Sequence, residues 1–244
     1  MSSRRDFLKS AASLAVTTLA SGVTLYSMSG EASAANAAKT PRWGLLIDAT
    51  KCTPDCSACV DACGKAYGWH NESYSPTDEQ WIRKVNVKDP ESGASFSAPV
   101  MCQHCANPPC VDVCPTGASF KRFDGIVLVN RHICIGCRYC MMACPYKARS
   151  FVHHGGRGSD EDKREYPRGG HGTVEACNLC VQRIDAGGVP HCVEACQQKG
   201  QGAILFGNLN DPESEIAKRV ATYRTSRIRD DLGCEPGVHY QGIS

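Results

Sequence analysis

Residues 134–145 read C-I-G-C-R-Y-C-M-M-A-C-P, which is the run C-x2-C-x2-C-x3-C-P. The first three cysteines of such a run can wrap three corners of one cubane [4Fe–4S] cluster, while the fourth reaches a second cluster. The proline that follows turns the chain away, because its ring fixes φ. The spacing therefore predicts an iron–sulfur site, and it implies a second site that shares the same stretch of chain.

This run is one of four similar groups, and together they hold all but one of the 17 cysteines. In chain order the groups are Cys52-Cys56-Cys59-Cys63, Cys102-Cys105-Cys110-Cys114, Cys134-Cys137-Cys140-Cys144 and Cys177-Cys180-Cys192-Cys196. With four thiolates for each cluster, the cysteines are enough for four [4Fe–4S] clusters. The count predicts a protein that conducts single electrons.

Groups two and three are the more regular. Pro115 and Pro145 directly follow the last cysteine of each, whereas groups one and four have no proline there and group four is interrupted by a long insertion. Residues 101–151 are therefore predicted to form a regular two-motif ferredoxin module. Residues 43–70 and 173–207 are predicted to form a second, interrupted module.

The composition predicts a loop-rich α+β fold of tandem bacterial-ferredoxin-like modules, organised around the four clusters. The 244 residues include 23 Gly and 13 Pro, with only 7% aromatic residues. Strands are predicted at 43–49, 126–130 and 203–206. A helical turn is predicted at 146–150, and a C-terminal helix at 211–229 with Asp211 as its N-cap. Because so much of the core would be cluster, the iron-free chain is expected to fold poorly.

The formal net charge is +2. Each oxidised cluster with four thiolates carries roughly −2, so the loaded protein would carry about −6. No basic patch with interleaved aromatic residues is present, which gives no case for a nucleic-acid partner.

The N-terminus reads as an export signal. Residues 3–9 are S-R-R-D-F-L-K, the twin-arginine pattern. A mildly apolar stretch follows at about 11–25, and residues 32–37 offer small-residue cleavage sites. We predict a twin-arginine signal peptide at 1–35 and a four-cluster domain at 36–244. An uncleaved N-terminal anchor is the alternative, although the stretch is short for a membrane span.

Three other chemistries fit part of the cysteine pattern. A disulfide scaffold is common in exported proteins, but here the cysteines are clustered and odd in number. Paired C-x2-C motifs can also hold zinc. The spacing Cys52-x3-Cys56-x2-Cys59 matches radical enzymes that cleave S-adenosylmethionine, yet Cys63 and three further groups accompany it.

Two charged features allow two interpretations each. Residues 153–172 are glycine-rich and charged, and they are either a surface loop or a docking loop for a partner. Arg131, Arg138, Lys147 and Arg149 crowd group three. Positive charge near a cluster favours its reduced state, although these residues could equally only balance charge.

Two stretches carry a family resemblance. Residues 132–151, H-I-C-I-G-C-R-Y-C-M-M-A-C-P-Y-K-A-R-S-F, and the tail 232–240, L-G-C-E-P-G-V-H-Y, accompany the four groups in order. The chain resembles the four-cluster iron–sulfur subunits of the DMSO reductase, NrfC and polysulfide reductase type, and within them the exported DsrO-type subunit. The resemblance covers about residues 43–240.

The resemblance implies four ligand sets in crossed pairs. They are Cys52, Cys56, Cys59 and Cys196; Cys177, Cys180, Cys192 and Cys63; Cys102, Cys105, Cys110 and Cys144; and Cys134, Cys137, Cys140 and Cys114. Cys234 is left over. It stands where the family tail often has threonine, so it is expected to be structural.

The resemblance also implies a function. The chain would be a subunit without its own substrate site, passing electrons through its clusters in a membrane-associated, quinone-linked complex of dissimilatory sulfur metabolism, the DsrMKJOP type. Its partners would be an NrfD-type membrane subunit that reacts with quinone and a multihaem cytochrome c or other redox subunit. It would lie on the periplasmic side of the cytoplasmic membrane and touch the membrane through its partner. The alternatives are a subunit of a molybdopterin oxidoreductase or an NrfC-like subunit and, more remotely, a radical-type enzyme.

Overall fold

The computed structural model describes residues 15–20, 23–27, 40–69, 77–91, 93–153 and 171–243. The twin-arginine motif, the candidate cleavage sites and most of the loop predicted at 153–172 lie outside these residues. The chain divides into two units, Met1–Lys39 and Thr40–Ser244. In the first unit, strand β1 (Ala15–Ala20) pairs antiparallel with strand β2 (Val23–Ser27).

The second unit is built from short strands and short helices. Its strands are β3 (Trp43–Asp48), β4 (Ile82–Lys88), β5 (Ser95–Met101), β6 (Ser119–Lys121), β7 (Val127–Val129), β8 (Arg149–Phe151), β9 (Val174–Ala176), β10 (Ile204–Asn208), β11 (Thr225–Ser226) and β12 (Val238–Gln241). Its helices are α1 (Ala58–Tyr67), α2 (Pro109–Asp112), α3 (Tyr139–Ala143), α4 (Val181–Asp185), α5 (His191–Gln198) and α6 (Glu215–Thr222). Single 3₁₀ turns lie at Ala49–Lys51 and Asp230–Leu232. This mixture confirms the predicted α+β class.

Strand β3 is the centre of the main sheet, which has the order β10-β3-β12-β11. It pairs antiparallel with β10 and parallel with β12. Such a strand is expected to be apolar along its length, and Leu45, Leu46 and Ile47 are almost completely buried. The remaining strands of this unit form the hairpins β4–β5, β6–β7 and β8–β9.

Two pairs of helices pack together, α1 with α5 and α2 with α3. Helix α1 ends at Gly68, which takes the left-handed conformation at φ 65° and donates its N–H to the Gly64 carbonyl at 2.7 Å. Glycine adopts this conformation without steric cost, so it is a common helix terminator. All four helices carry cysteines of the predicted groups.

The three predicted strands are present as β3, β7 and β10, each within two residues of the expected bounds. The helical turn predicted at 146–150 is wrong in its second half. Strand β8 begins at Arg149, where that residue pairs with Ala176 of β9. Pairing with a distant segment decided the conformation there, and local sequence does not report such pairing.

The C-terminal helix is shorter at both ends than the predicted 211–229. Ser214 is the N-cap, because its hydroxyl accepts the N–H of Ala217 at 3.2 Å. The Asp211 carboxylate instead accepts the N–H of Glu213 at 3.0 Å and forms a turn before the helix. After Thr222 the chain becomes extended, and β11 pairs with β12. Among the described residues, no helix is long and apolar enough to cross a membrane.

Candidate iron–sulfur sites

Cys52, Cys56, Cys59 and Cys196 line one cavity, which we name site one. The Lys84 ammonium donates to the carbonyl oxygens of Cys56, at 2.7 Å, and of Thr53, and so holds the loop that carries two of these cysteines. In the same cavity, the Ala203 backbone N–H donates to Cys196 Sγ at 3.2 Å. Such an N–H bond favours the ionised sulfur.

Cys63, Cys177, Cys180 and Cys192 form site two, deeper in the core. Burial raises the pKa of the Cys63 thiol, and the thiolates of Cys177 and Cys180 raise it further. The same causes, burial first, raise the pKa of Cys192. The Trp69 indole N–H donates to Cys63 Sγ at 3.4 Å. This donor offsets part of the cost of burying a charged sulfur.

Helices α1 and α5 explain why sites one and two share their cysteines. Cys59 and Cys63 are four residues apart on α1, and Cys192 and Cys196 are four apart on α5. Residues at i and i+4 lie on one helix face, about one turn apart. Since the two helices pack together, each helix presents one thiol to each site.

Cys102, Cys105, Cys110 and Cys144 form site three, and all four are buried. Burial, with nearby thiolates adding to it, raises the pKa of Cys102 to about 12, although the Arg149 guanidinium acts to lower it. Burial and neighbouring thiolates raise the pKa of Cys105 to about 12 in the same way. Four thiols so close together in a buried place cannot all ionise unless a cation neutralises them.

Cys114, Cys134, Cys137 and Cys140 line a further cavity, which we name site four. This site is the least enclosed, since Cys137 is exposed and Cys114 and Cys134 are half-buried. Partial burial acts to raise the pKa of Cys114, but hydrogen bonds, chiefly from the Ser119 backbone N–H at 3.4 Å, lower it to about 7. The turn in the Cys134–Cys137 loop depends on Gly136, whose φ is +70°.

Helices α2 and α3 repeat the crossed arrangement at the second pair of sites. Cys110, on α2, belongs to site three, and Cys114, which follows the helix, belongs to site four. Cys140, on α3, belongs to site four, while Cys144 caps that helix and belongs to site three. One short run of chain thus serves both sites, as the spacing of residues 134–145 predicts.

The four sites form a continuous series. Cys177 of site two packs against the core cluster that contains Cys102 and Cys144 of site three. Burial and then the Cys102 thiolate raise the pKa of Cys177. Sites three and four meet where Cys110 and Cys140 share a core cluster. The spatial order is therefore one, two, three, four, which the sequence alone does not give.

The residues present fit iron–sulfur clusters. All 17 cysteines lie within the described residues and are free thiols. Within the same part of the chain, no three His, Cys, Asp or Glu side chains converge as they would around a single metal ion. The thiols of sites one and four instead line the walls of cavities. The raised pKa values of buried thiols such as Cys63, Cys102 and Cys192 mean that metal binding there must displace protons, which couples binding to pH and to folding.

The structure brings together the same four sets of cysteines that the family resemblance implies. Their ligation of iron stays a prediction. Cys234 is buried in one core cluster with Cys102, Cys105 and Cys144, beside site three. Its structural role also stays a prediction.

Three supporting residues, Lys84, Trp69 and Ser119, were not found by sequence reasoning. Lys84 contacts its cysteine loop from a separate strand, whereas Trp69 and Ser119 follow their cysteine partners by six and five residues, and none of the three lies in a motif. His104, between two cysteines of site three, is buried, and its Nδ1 accepts the N–H of Val127 at 3.0 Å.

The fold and the sites define the class of protein. Residues 94–159 match the family described as "4Fe-4S dicluster domain". The chain is therefore an iron–sulfur protein of ferredoxin-like type that binds [4Fe–4S] clusters.

Comparison with curated proteins identifies the family within this class. The chain is 40% identical to the Hdr-like menaquinol oxidoreductase iron-sulfur subunit 1 of Archaeoglobus fulgidus, over 82% of this chain and 82% of that protein. It is 36% identical to NrfC of Escherichia coli, over 81% of this chain and 79% of that protein. It is 32% identical to the NrfC homolog of Haemophilus influenzae, over 98% and 94%. The chain belongs to this family of iron–sulfur electron-transfer subunits.

Proposed function

We propose that the chain carries four [4Fe–4S] clusters and passes single electrons along them within a membrane-associated, quinone-linked oxidoreductase complex. The observation that carries this proposal is the continuous series of four cysteine sets, which runs from site one through the buried sites two and three to site four, the least enclosed set. The clusters would supply reversible one-electron chemistry when bound. The chain supplies the thiolates, the hydrogen bonds to them and their spacing.

Within this proposal, substrate turnover belongs to a partner. The residues gathered at the four sites are cysteines and the groups that support them, which suits electron transfer through the chain. The relatives named for menaquinol, dimethyl sulfoxide, tetrathionate and selenate reactions share one subunit type across different substrates. A common electron-transfer subunit attached to different terminal enzymes accounts for this range of substrates.

We favour a complex of the DsrMKJOP type, with an NrfD-type membrane subunit and a multihaem cytochrome c as partners. The relative with 40% identity is named as part of a menaquinol oxidoreductase, which supports a link to quinone. The second candidate is the iron–sulfur subunit of a molybdopterin oxidoreductase. The matches to the subunits of dimethyl sulfoxide and tetrathionate reductases support it.

Purification of the intact complex separates these candidates. The tagged full-length chain would be extracted from membranes of its own cell with mild detergent, and the complex analysed for haem c and for molybdenum. Haem c without molybdenum is expected for the favoured complex, and molybdenum without haem c for the second. A chain that is recovered without redox partners, and whose clusters no quinol reduces in the extract, would overturn both.

We propose export to the periplasmic side by the twin-arginine route. The support is the S-R-R-D-F-L-K motif at residues 3–9. Replacing Arg4 and Arg5 together by lysine should leave the loaded protein in the cytoplasm. Equal amounts outside the cytoplasm for variant and wild type would contradict this route.

The remote alternative of a radical-type enzyme has a direct test. The reduced, fully loaded protein would be incubated with S-adenosylmethionine, and its cleavage products measured. We expect no cleavage above that of the Cys59→Ala variant, whereas turnover that depends on Cys59 would favour the enzyme.

A further inference from the structure

We propose that Arg149 is a shared positioning residue that raises the reduction potentials of the clusters at sites three and four together. This inference rests on the proposed function, because it requires clusters at both sites. It concerns one of four basic residues that lie near group three in the sequence. The structure separates Arg149 from the other three.

The Arg149 guanidinium lies between the two sites. One of its terminal nitrogens is 3.1 Å from Cys110 Sγ, a site-three thiol, and donates to it. The other donates to the Ser119 hydroxyl at 2.8 Å. The backbone N–H of Ser119 in turn donates to Cys114 Sγ of site four at 3.4 Å. Arg149 therefore contacts a site-three thiol directly and reaches a site-four thiol through Ser119, which accepts from Arg149 with its hydroxyl and donates to Cys114 with its backbone N–H.

Burial strengthens the electrostatic effect of the Arg149 charge on the neighbouring clusters. Arg149 is only 5% exposed, and Ser119 is 3% exposed. A buried guanidinium needs compensating negative charge, and the partners here are a thiol and a hydroxyl rather than a carboxylate. The negative charge that compensates the Arg149 guanidinium therefore belongs to the cysteines that are predicted to bind iron.

The other three basic residues have different surroundings. Lys147 is exposed, and Arg138 is exposed and stacks on the Phe151 ring at 3.7 Å. Arg131 forms an ion pair with the buried Glu175 at 2.9 Å, which neutralises it. Exposed charges act weakly on a cluster because water and salt screen them.

The sign of the effect follows from charge. Reduction of a cluster adds one negative charge, and a nearby fixed cation stabilises the reduced state more than the oxidised state. Because Arg149 is positioned toward both sites, its removal should lower both potentials. Sites one and two lie farther along the series and should respond much less.

The experiment compares Arg149→Gln with Lys147→Gln, a charge removal two residues away on the surface. All four cluster potentials would be measured by EPR-monitored redox titration of the loaded full-length protein. The variants Cys56→Ala and Cys137→Ala assign the signals of sites one and four. In Arg149→Gln the equilibrium constant for reduction should fall at least tenfold at sites three and four, which is about 59 mV for one electron. In Lys147→Gln every change should stay below threefold.

Two further variants keep the test decisive if Arg149→Gln does not hold its iron. Arg149→Lys keeps the charge and should restore more than half of the shift. Ser119→Ala removes the hydroxyl that orients Arg149 and should lower both potentials by less than Arg149→Gln. The inference is overturned if Arg149→Gln, with full iron, leaves both potentials within threefold of wild type, or, where that variant does not hold its iron, if Ser119→Ala with full iron leaves both potentials equal to those of wild type. It is also overturned if all four potentials move equally.

Failure of this inference is distinguishable from failure of the proposed function. A wild-type protein without four reducible centres would contradict the proposed function. If the wild-type protein has four such centres but their reduction potentials do not change when Arg149 is replaced, only the inference is contradicted.

Discussion

Replacing Gly136 by alanine should destabilise site four selectively. Gly136 has φ +70°, where a residue other than glycine costs about 1–2 kcal/mol. An added Cβ would also lie 2.1 Å from the carbonyl oxygen of Gly172 and 3.1 Å from Phe151 Cε2. A backbone oxygen cannot swing aside as a side chain can, so the loop must shift, at a cost of about 1–3 kcal/mol for overpacking.

Gly117 provides the matched control. It follows Cys114 of site four, has φ +68°, and an added Cβ would meet nothing within 4 Å. Gly117→Ala therefore carries the backbone strain without the clash. The difference of about 1–3 kcal/mol corresponds to roughly a 5- to 150-fold difference in an equilibrium for local opening.

The assay is the rate at which a chelator removes iron in mild denaturant, with the EPR signal of site four as the specific readout. Gly136→Ala should lose that signal at least fivefold faster than Gly117→Ala, while the signals of sites one and two persist. Equal rates for the two variants would refute the reasoning, because they would show that the close approach to Gly172 has no role.

Three other predictions concern single residues. Cys59→Ala should disturb site one and Cys63→Ala site two, so their EPR spectra should lose different signals although the residues are one turn apart; loss of the same signal would disprove the crossed arrangement. Cys234→Ser should keep the full iron content by chemical analysis despite its place beside site three, and a fall of a quarter would identify Cys234 as a ligand. Ser214→Ala should destabilise helix α6 by about 1 kcal/mol, seen as faster amide exchange there with unchanged iron, whereas unchanged exchange would contradict the cap.

The cysteine spacing predicts much of the architecture. The run at residues 134–145 is local, and its geometry depends on small and turn-forming residues that the sequence displays. The strand at 43–49 is also readable, because a continuous apolar run flanked by a cysteine loop is typical of a buried strand. These features depend on neighbours in the chain.

The rest depends on contacts between distant segments. Lys84, for example, reaches the Cys56 loop from strand β4, 28 residues along the chain. The series of four sites depends on Cys177 packing against a core cluster whose site-three cysteines, Cys102, Cys105 and Cys144, lie 33 or more residues earlier in the chain. Neither periodicity nor spacing reports such contacts.

Arg149 likewise combines a feature visible in the sequence with features that depend on distant contacts. The sequence places it among four basic residues without distinguishing them, whereas its burial and its two hydrogen bonds are properties of the fold. It also lies where the predicted helical turn is replaced by strand β8. Pairing of that strand with β9 places Arg149 in the structure, and this pairing is not visible in the local sequence.

Iron and acid-labile sulfide analysis of the purified full-length protein, combined with EPR of its reduced form, tests the central claim most directly. Four clusters predict about 16 irons and 16 sulfides per chain and four reducible centres that interact magnetically. A brown protein with those values would meet the prediction. A colourless protein that contains zinc, or a chain with about eight irons that does not take up more on reconstitution, would contradict the account.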